Sequence, residues 1–303
     1  MIKKKLQSFL DKLYIKQWAV GVAKFDINLS FPEFISNLNF TWIKSDLSTR
    51  FYADPFVLKS DNGNINVFYE DYSFYDQYGK VSISILDKDF NLLHQKIILD
   101  TKSHLSYPSI YKKEGYVYLI PESSKEGSLF VYEFDQSQTE LINKRTVISN
   151  EPLLDSTIFF HNGKYWLFAT KRGANSNNEL FLYYSDTWDK NFIPHPCNPV
   201  KNSLKGSRPA GAIFIKNGEL FRPTQNSEDY YGKSIIINKI ITLTENKFEE
   251  SQVFELKSPK NTEYNFAIHT INFDNDVIVV DGLKRIFNPF IQLKIFILKS
   301  FKI

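Results

Sequence analysis

The stretch LDSTIFFHNGKYWLFATK, residues Leu154–Lys171, contains the features that decide the fold. An acidic residue, Asp155, precedes a short apolar strand, and a second apolar strand follows the turn residues Asn162 and Gly163. Asn-Gly between two runs that are typical of strands supplies the positive φ angles of a tight two-residue turn. The stretch therefore predicts a β-hairpin with a carboxylate near its open end.

The same pattern occurs in five places along the chain, and repetition of this kind changes the prediction for the whole fold. Each copy has a polar residue, often followed by proline, then an apolar strand, a turn with Gly or Asn, and a second apolar strand. The copies are ADPFVLKSDNGNINVFYED (53–71), SYPSIYKKEGYVYLIPES (106–123), LDSTIFFHNGKYWLFATK (154–171), SRPAGAIFIKNGELFRPTQ (207–225) and AIHTINFDNDVIVVDGL (267–283).

The spacing of the leading polar residues matches the length of a four-stranded propeller blade. The intervals are 53, 48, 53 and 61 residues, counted between Asp54, Tyr107, Asp155, Arg208 and His269. A β-sandwich also has many short strands, but it would not place a polar residue at the same point of each repeat. We therefore predict an all-β fold: a five-bladed β-propeller over residues 17–285, with short helical extensions at residues 1–16 and 286–303.

Composition excludes several classes of protein. The 27 Phe and 17 Tyr residues, beside a single Met, favour strands over helical bundles. A formal net charge of +3 predicts no general affinity for nucleic acid. The lone cysteine, Cys197, rules out an internal disulfide and makes a cysteine-based metal site implausible, which fits the cytoplasm.

Both ends of the chain have amphipathic character. Residues 1–16 place leucines and a phenylalanine opposite lysines, which is typical of a helix packed on its own domain or lying on a membrane surface. At the other end, Asn288 and Pro289 favour a helix start, and an apolar segment with three lysines and no acid follows. This tail predicts either peripheral contact with the inner face of the plasma membrane or an element packed on the propeller.

Each repeat predicts two residues at one mouth of the propeller, because an up-and-down pair of strands returns its two free ends to the same side. A slip of one residue in this register would turn the side chains away. The leading residues are Asp54, Tyr107, Asp155, Arg208 and His269, and their expected neighbours are Glu70 or Asp71, Glu122, Lys171, Arg222 with Gln225, and Asp281.

Three acids in this ring, Asp54, Asp155 and Glu122, are our candidates for catalysis. Clustered carboxylates repel one another, so a purely structural ring would favour apolar residues. Sugar chemistry commonly uses two carboxylates on either side of the anomeric carbon, with a third group that tunes their pKa values. The ring therefore predicts a carbohydrate-active site.

The remaining ring residues predict substrate binding. Arginine suits bidentate recognition of phosphate, so Arg208 and Arg222, together with Gln225, indicate an anionic donor; alternatively, the arginines neutralise the acids in structural ion pairs. The ring contains one histidine, His269, and a lone histidine is better suited to a hydrogen bond than to a metal centre. We therefore expect no metal or other cofactor. Further expected contacts to the substrate come from Tyr107, Lys171, Asp281 and, in a polar loop, Tyr231.

Six segments resemble a known family. They are FYADPF (51–56), SYPSIY (106–111), LLDSTIFFHNGKYWLFAT (153–170), LFLYYSDTWDKNFIPHPCNPV (180–200), SRPAGAIFIKNGELFRPTQNSEDYYG (207–232) and HTINFDNDVIVVDG (269–282). Together they resemble the β-propeller domain found at the N-terminus of plant glucosamine inositolphosphorylceramide transferases and in bacterial envelope-polysaccharide proteins. More distantly, the plan is similar to the arabinanases, levansucrases and invertases of glycoside hydrolase families 43, 62, 32 and 68.

The hydrolase resemblance implies a base at Asp54 and a second acid at Asp155. It departs where those enzymes have a late glutamate, because this chain has Arg208, Arg222 and Gln225 in that region. We therefore expect a glycosyltransferase of bacterial cell-surface polysaccharide biosynthesis, with a phosphate-bearing sugar donor and a glycan or lipid-linked acceptor. The alternatives are a glycoside hydrolase and a non-catalytic glycan-binding propeller.

Overall fold

The computed structural model describes residues 14–26 and 38–300, and the helix expected within residues 1–16 falls mostly outside them. Five antiparallel sheets of four or five strands form the body of the molecule. The predicted all-β fold and the five-bladed β-propeller are thus confirmed. At the C-terminus there is one short helix.

The described residues begin with the two outer strands of blade five, β1 (Tyr14–Lys24) and β2 (Thr41–Ile43). Blade one follows with β3 (Arg50–Lys59), β4 (Ile65–Ser73), β5 (Tyr78–Leu86) and β6 (Leu92–Leu99). Blade two contains β7 (Ser106–Lys113), β8 (Tyr116–Glu122), β9 (Leu129–Asp135) and β10 (Glu140–Ile148). Blade three contains β11 (Leu153–His161), β12 (Lys164–Lys171), β13 (Glu179–Ser185), β14 (Ile193–Pro194) and β15 (Lys201–Asn202).

Blade four contains β16 (Lys205–Pro209), β17 (Phe214–Lys216), β18 (Glu219–Asn226), β19 (Ser234–Thr244) and β20 (Lys247–Leu256). The last two strands, β21 (Ile271–Asp274) and β22 (Val277–Phe287), are the inner strands of blade five. There β1 pairs with β22 along its whole length, from Tyr14 opposite Phe287 to Lys24 opposite Val277. The first and last strands among the described residues therefore close the ring.

The hairpin of blade three has the predicted turn. Asn162 and Gly163 have φ angles of 50° and 76°, and His161 lies opposite Lys164. Only residues that tolerate a positive φ fit both central positions of such a turn. The Asn-Gly pair is therefore what makes the two apolar runs pair at this register.

The innermost strands of blades one, two and three share a bulge that the spacing alone does not predict. Asp54, Tyr107 and Asp155 have φ angles of 53°, 41° and 51°, and the register of each strand shifts at that point. A bulge adds one residue to a strand, bends it and re-aims a side chain. Positive φ costs a residue with a Cβ about 1–3 kcal/mol, and strain of this kind is concentrated at functional sites.

Apolar side chains fill the space between neighbouring blades. Trp166 and Phe168 alternate along β12 and are buried against Leu180 and Leu182 of β13 and against blade four. Burial of such large side chains supplies about 1.5–3 kcal/mol each. These contacts fix the angle between blades and hold the inner strands around one axis.

A helix, α1 (Pro289–Ser300), follows the propeller. Asn288 caps it, because its Oδ1 accepts a hydrogen bond from the Ile291 backbone N–H at 3.1 Å. Ile295 is buried in a small cluster with Ile15 and Phe74 of the propeller. Among the described residues, no helix combines the length and the apolar character that crossing a bilayer requires.

Candidate active site

A cavity of about 200 Å³ opens near the N-terminal ends of the innermost strands, and we call it the central cavity. Four blades contribute polar groups to it, and aromatic side chains form part of its wall. Its lining residues are Trp18, Phe51, Ala53, Asp54, Glu70, Tyr72, His104, Ser106, Glu122, Arg208, Tyr231 and His269. Five residues of the expected ring are among them, namely Asp54, Glu70, Glu122, Arg208 and His269, together with Tyr231, which we expected as a substrate contact from a polar loop.

Asp54 is held by blade five. Its Oδ1 accepts a hydrogen bond from Thr270 Oγ1 at 2.8 Å and lies 3.1 Å from His269 Nε2. Its backbone N–H donates to Asp281 Oδ2 at 3.2 Å, which fixes the bulge that carries the carboxylate. The position of this side chain is therefore determined by contacts between the first and the last blade.

His269 lies between two carboxylates. Its Nδ1 is 2.9 Å from Asp281 Oδ2, on the side opposite Asp54. Burial opposes a charge on the imidazole, but Asp281, Tyr231 and Asp54 outweigh it and raise the pKa of His269 well above its usual range. For Asp54, burial by itself would raise the pKa. The charge of His269 and the hydrogen bonds from His269 and Thr270 outweigh burial and lower the pKa of Asp54. Asp54 is thus an ionised carboxylate beside an imidazolium.

Glu122 has the opposite protonation state. Burial and the nearby charge of Asp155 raise the pKa of Glu122 to about 8, so it carries a proton at neutral pH. Its Oε1 lies 2.8 Å from Ser124 Oγ, and its Oε2 lies 3.1 Å from Ser106 Oγ. Glu70 is also protonated, because burial and the charge of Asp54 raise its pKa well above the usual range.

Asp155 lies behind the lining of the cavity and is covered by Arg208. Arg208 Nε is 2.5 Å from Asp155 Oδ2, and its Nη2 is 3.3 Å from Oδ1. Gln225 Nε2 donates to the same Oδ2 at 3.2 Å. Both carboxylate oxygens are therefore engaged, and Asp155 holds Arg208 in place. This arrangement agrees with the alternative in which an arginine pairs with a ring acid.

Arg222 does not line the central cavity, so its position differs from the one that we expected for a phosphate ligand. Its Nη2 and Nε lie 2.7 and 2.8 Å from the two oxygens of Glu250, and both side chains are almost fully buried. Lys201 joins the same carboxylate at 2.7 Å. The difference arises because the partner of Arg222, Glu250, lies on β20, a strand outside the repeated strand pair.

Three further residues of the expected ring also lie outside the lining. Lys171 pairs with Glu151 at 2.9 Å at the end of its strand. Tyr107 is fully buried, with its hydroxyl 2.9 Å from Thr157 Oγ1 in the next blade. Asp281 accepts backbone hydrogen bonds from His269 and Thr270 beneath the cavity. Their observed contacts position the chain and are not directed at a ligand.

Several residues of the cavity were not among the candidates. Trp18 comes from β1 and contacts the His269 ring at 4.3 Å between centroids, and His104 lies 3.7 Å from Glu70. Burial lowers the pKa of His104 to about 4, so its ring is neutral. The only signal in the sequence for His104 is its place two residues before the second repeat.

Asp54, His269 and Asp281 also offer donor atoms of the kind that bind a divalent cation, all within 4.8 Å of one another. A metal ligand must be a neutral imidazole, because the ring nitrogen donates its lone pair to the ion. Both ring nitrogens of His269 face a carboxylate, with Nε2 3.1 Å from Asp54 Oδ1 and Nδ1 2.9 Å from Asp281 Oδ2. The arrangement therefore fits an ion-paired triad better than a metal centre.

The central cavity brings a proton donor and a proton acceptor together. Glu122 supplies the proton, and Asp54 supplies the ionised carboxylate. Environments that separate the pKa values of two acids are typical of general acid and base pairs. The cavity can thus support displacement at a carbon that bears an oxygen leaving group.

Comparison with known proteins assigns residues 39–275 to the family model described as "Glucosamine inositolphosphorylceramide transferase 1, N-terminal". The protein of that name from Arabidopsis thaliana is 30% identical over 257 residues, which is 80% of this chain and 33% of that protein. Its counterpart from Oryza sativa subsp. japonica is 31% identical over 234 residues, 74% of this chain and 31% of that protein. The chain thus spans about a third of the length of these relatives.

Among solved structures, the fold is similar to that of glycoside hydrolases. A β-xylosidase matches with a TM-score of 0.56 at 11% identity, over 78% of this chain and 84% of that chain. A thermostable family-43 glycoside hydrolase matches with a TM-score of 0.52 at 16% identity, over 72% and 83% of the two chains. At these identities the likeness concerns the fold alone.

Proposed function

Since the chain belongs to the family of the N-terminal domain of glucosamine inositolphosphorylceramide transferase 1, we propose that its central cavity catalyses transfer of a glycosyl group. The name of the relatives describes a transferase, and the chain matches about a third of their length. Glycosyl transfer by this segment itself is therefore our proposal, and the chemistry of the cavity is its main support.

The observation that carries the proposal is that Glu122 and Asp54 line one cavity, in environments that raise the pKa of Glu122 and lower that of Asp54. Asp54 accepts the proton of the acceptor hydroxyl as its oxygen bonds to the anomeric carbon. The bond from that carbon to the leaving oxygen breaks, and Glu122 gives its proton to the leaving oxygen. Exchange with solvent then restores both residues.

Arg208 orients the substrate in this proposal, and Asp155 is a positioning residue. The guanidinium reaches the cavity while Asp155 holds it from behind, and Nη1 donates to Asn177 Oδ1 at 3.1 Å. Because the charges of Arg208 and Asp155 balance each other, the pair offers a sugar hydrogen-bonding groups that are fixed in place and carry little net charge. This role differs from our expectation that Asp155 acts in catalysis, because its oxygens are already engaged.

Aromatic side chains support a sugar as the ligand. Trp18, Phe51, Tyr72 and Tyr231 line the cavity together with the polar groups. Sugar rings have apolar faces and polar edges, so mixed aromatic and polar walls match them. Phe51 and Tyr72 stack at 4.8 Å between centroids, which gives this side of the cavity a rigid surface.

A glycoside hydrolase is the second candidate, and the two acids favour it equally, since water can replace the acceptor. The neighbouring solved structures support only the fold. A screen of nucleotide sugars and other phosphate-bearing donors, with and without glycan or lipid-linked acceptors, separates the possibilities. Transfer needs the acceptor, hydrolysis releases free sugar without one, and a non-catalytic glycan-binding module binds sugar without turnover.

The wider setting that we propose is assembly of a bacterial cell-surface polysaccharide at the inner face of the plasma membrane. Its support is the family resemblance together with the exposed face of α1. Phe290 is 84% exposed, and Leu293 and Phe296 are also exposed on this helix. Lys294 instead turns back to Ser48 Oγ at 2.9 Å, which leaves the outer side largely apolar. Such a face suits the interface of a bilayer.

A further inference from the structure

Two neighbouring polar side chains in the central cavity have no part in the proposed reaction. Glu70 comes from β4, and His104 comes from the loop between β6 and β7. Both line the central cavity. The proposed proton transfers use Glu122 and Asp54, so Glu70 and His104 are free to serve another purpose.

The Glu70 carboxyl group is buried without a partner of its own. Its side chain is 8% exposed, and within residues 14–26 and 38–300 it forms no hydrogen bond. His104 Nε2 lies 3.7 Å from Glu70 Oε1, which is too far for a hydrogen bond. A buried polar group that lacks a partner destabilises a fold, so its presence beside a cavity indicates a ligand.

The glycine at position 79 makes room for both side chains. A Cβ atom on Gly79 would lie 2.5 Å from Glu70 Oε1 and would collide with the carbonyl oxygen of Leu105. The Gly79 backbone N–H donates a hydrogen bond to His104 Nδ1 at 3.0 Å. One residue of β5 thus positions Glu70 by close packing and His104 by a hydrogen bond.

This hydrogen bond decides which nitrogen of His104 carries the proton. Nδ1 is the acceptor, so the hydrogen of the neutral ring is on Nε2. Burial lowers the pKa of His104 to about 4, which keeps the ring neutral. Nε2–H is therefore a fixed donor beside Glu70, and no acceptor in the described part of the chain lies within hydrogen-bonding distance of it.

The two groups are suited to hydroxyl groups. Burial and the charge of Asp54 raise the pKa of the Glu70 carboxyl group well above its usual range, so this group is neutral and can both donate and accept a hydrogen bond. His104 adds a second neutral donor. Neighbouring hydroxyl groups of a sugar have a spacing comparable to the 3.7 Å between the two side chains.

We propose that Glu70 and His104 bind two adjacent hydroxyl groups of the sugar in the central cavity and select sugars by the configuration at those carbons. This inference rests on the proposed function and names the residues that determine its sugar specificity. A site that hydrogen-bonds a hydroxyl group rejects a sugar in which that group is missing or inverted, because buried polar groups are then left unpaired.

The probes are the methyl pyranosides of glucose, galactose, mannose and allose, of which the last three each differ from glucose at one carbon. Ligand-detected NMR measures their affinities for the full chain, which should prefer one of them. Glu70→Leu and His104→Asn should each weaken binding of that sugar about tenfold and reduce the preference. Asparagine keeps an acceptor for the Gly79 N–H, so His104→Asn removes chiefly the Nε2–H donor.

Glu70→Gln should stay within about twofold of the parent chain, because an amide donates and accepts hydrogen bonds as a protonated carboxyl group does. Asp71→Asn and His94→Gln are the matched controls and should leave the preference unchanged. Asp71 follows Glu70 on β4 and pairs with Arg50, and His94 is exposed on β6. A structural role for Glu70 would lower the Tm of Glu70→Leu, whereas a ligand role leaves it equal or higher.

Absence of binding for all four glycosides overturns the inference, as does an unchanged preference in both Glu70→Leu and His104→Asn. Failure of the proposed reaction gives a different result. Selective binding that depends on Glu70, without turnover of any donor, supports the inference and contradicts glycosyl transfer. Turnover with the same sugar preference in the parent chain and both variants supports glycosyl transfer and contradicts the inference.

Discussion

Arg208 of blade four covers Asp155 of blade three, with Nε 2.5 Å from Oδ2 and Nη2 3.3 Å from Oδ1. Both side chains are largely buried, at 13% and 2% exposure. A buried ion pair contributes little to the free energy of unfolding, because the cost of removing both charges from water offsets their attraction. Removing one partner is costly, because the other charge is then buried without compensation. The contact therefore makes the two residues depend on each other in a way that mutagenesis can measure.

Arg208→Gln should lower the free energy of unfolding by about 3–5 kcal/mol, because Asp155 then keeps a buried charge with little compensation. Urea denaturation monitored by tryptophan fluorescence measures the loss. Adding Asp155→Asn should recover part of it, since no charge remains to be paired. A double variant less stable than the sum of the two single changes would contradict the pairing.

Asp54→Asn should reduce glycosyl transfer about 10²–10⁴-fold while the fold persists, because the proposed base is lost. Steady-state rates with the donor found in the screen give the effect, and circular dichroism confirms folding. Asp71→Asn is the matched control. Asp71 is a buried acid of the same blade, but it pairs with Arg50 and does not line the central cavity. Equal activity of Asp54→Asn and Asp71→Asn would remove Asp54 from the mechanism.

Transfer should decline as the pH rises through about 8, because Glu122 then loses the proton that it gives to the leaving oxygen. The pH profile of kcat/KM tests this, and Glu122→Gln should remove the alkaline limb together with most of the activity. A profile of the parent chain that stays flat from pH 6 to about 10 would contradict the role of Glu122.

Stability has a pH dependence of its own from Glu122. Its pKa is about 8 in the folded chain and near the ordinary glutamate value of 4.5 when unfolded. Between those values the folded state binds more protons, so the free energy of unfolding from this group falls as the pH rises. Glu122→Gln should therefore flatten the change in Tm between about pH 5 and 8. Parallel Tm profiles for the two chains would be the contrary result.

Replacing Phe290 and Phe296 by serine should reduce sedimentation with vesicles that contain anionic lipid, because α1 loses its two most exposed aromatic groups. The control is Leu92→Ser with Leu93→Ser, which removes two exposed apolar residues from β6. The control should sediment like the parent chain. Negligible sedimentation of the parent chain would exclude the proposed contact.

The repeat pattern predicts much of the fold because each copy contains its own strand pair and turn. The Asn162-Gly163 turn and the five blades follow from local residue types, whose effect does not depend on distant contacts. The bulge at Asp54 does not follow in this way. It is fixed by Asp281, which lies 227 residues further along the chain.

The sequence predicts only those site residues that hold a fixed position within a repeat. Asp54, Glu122, Arg208 and His269 meet because each lies at the end of a repeat's strand pair that faces the central cavity, in four of the five repeats. Trp18 could not be placed, since nothing local shows that β1 joins the last blade. Arg222 faces Glu250 for the same reason: the choice of partner is made between strands and is invisible in one repeat.

Pairing of β1 with β22 has a consequence for synthesis of the protein. Trp18 is made 265 residues before Leu283, yet the two residues lie opposite each other in the pair of β1 with β22. Until the ribosome has released β22, β1 lacks its partner, and the part of the central cavity that Trp18 lines is not yet assembled. The assembled central cavity is thus a property of the finished ring, and prematurely terminated chains lack it.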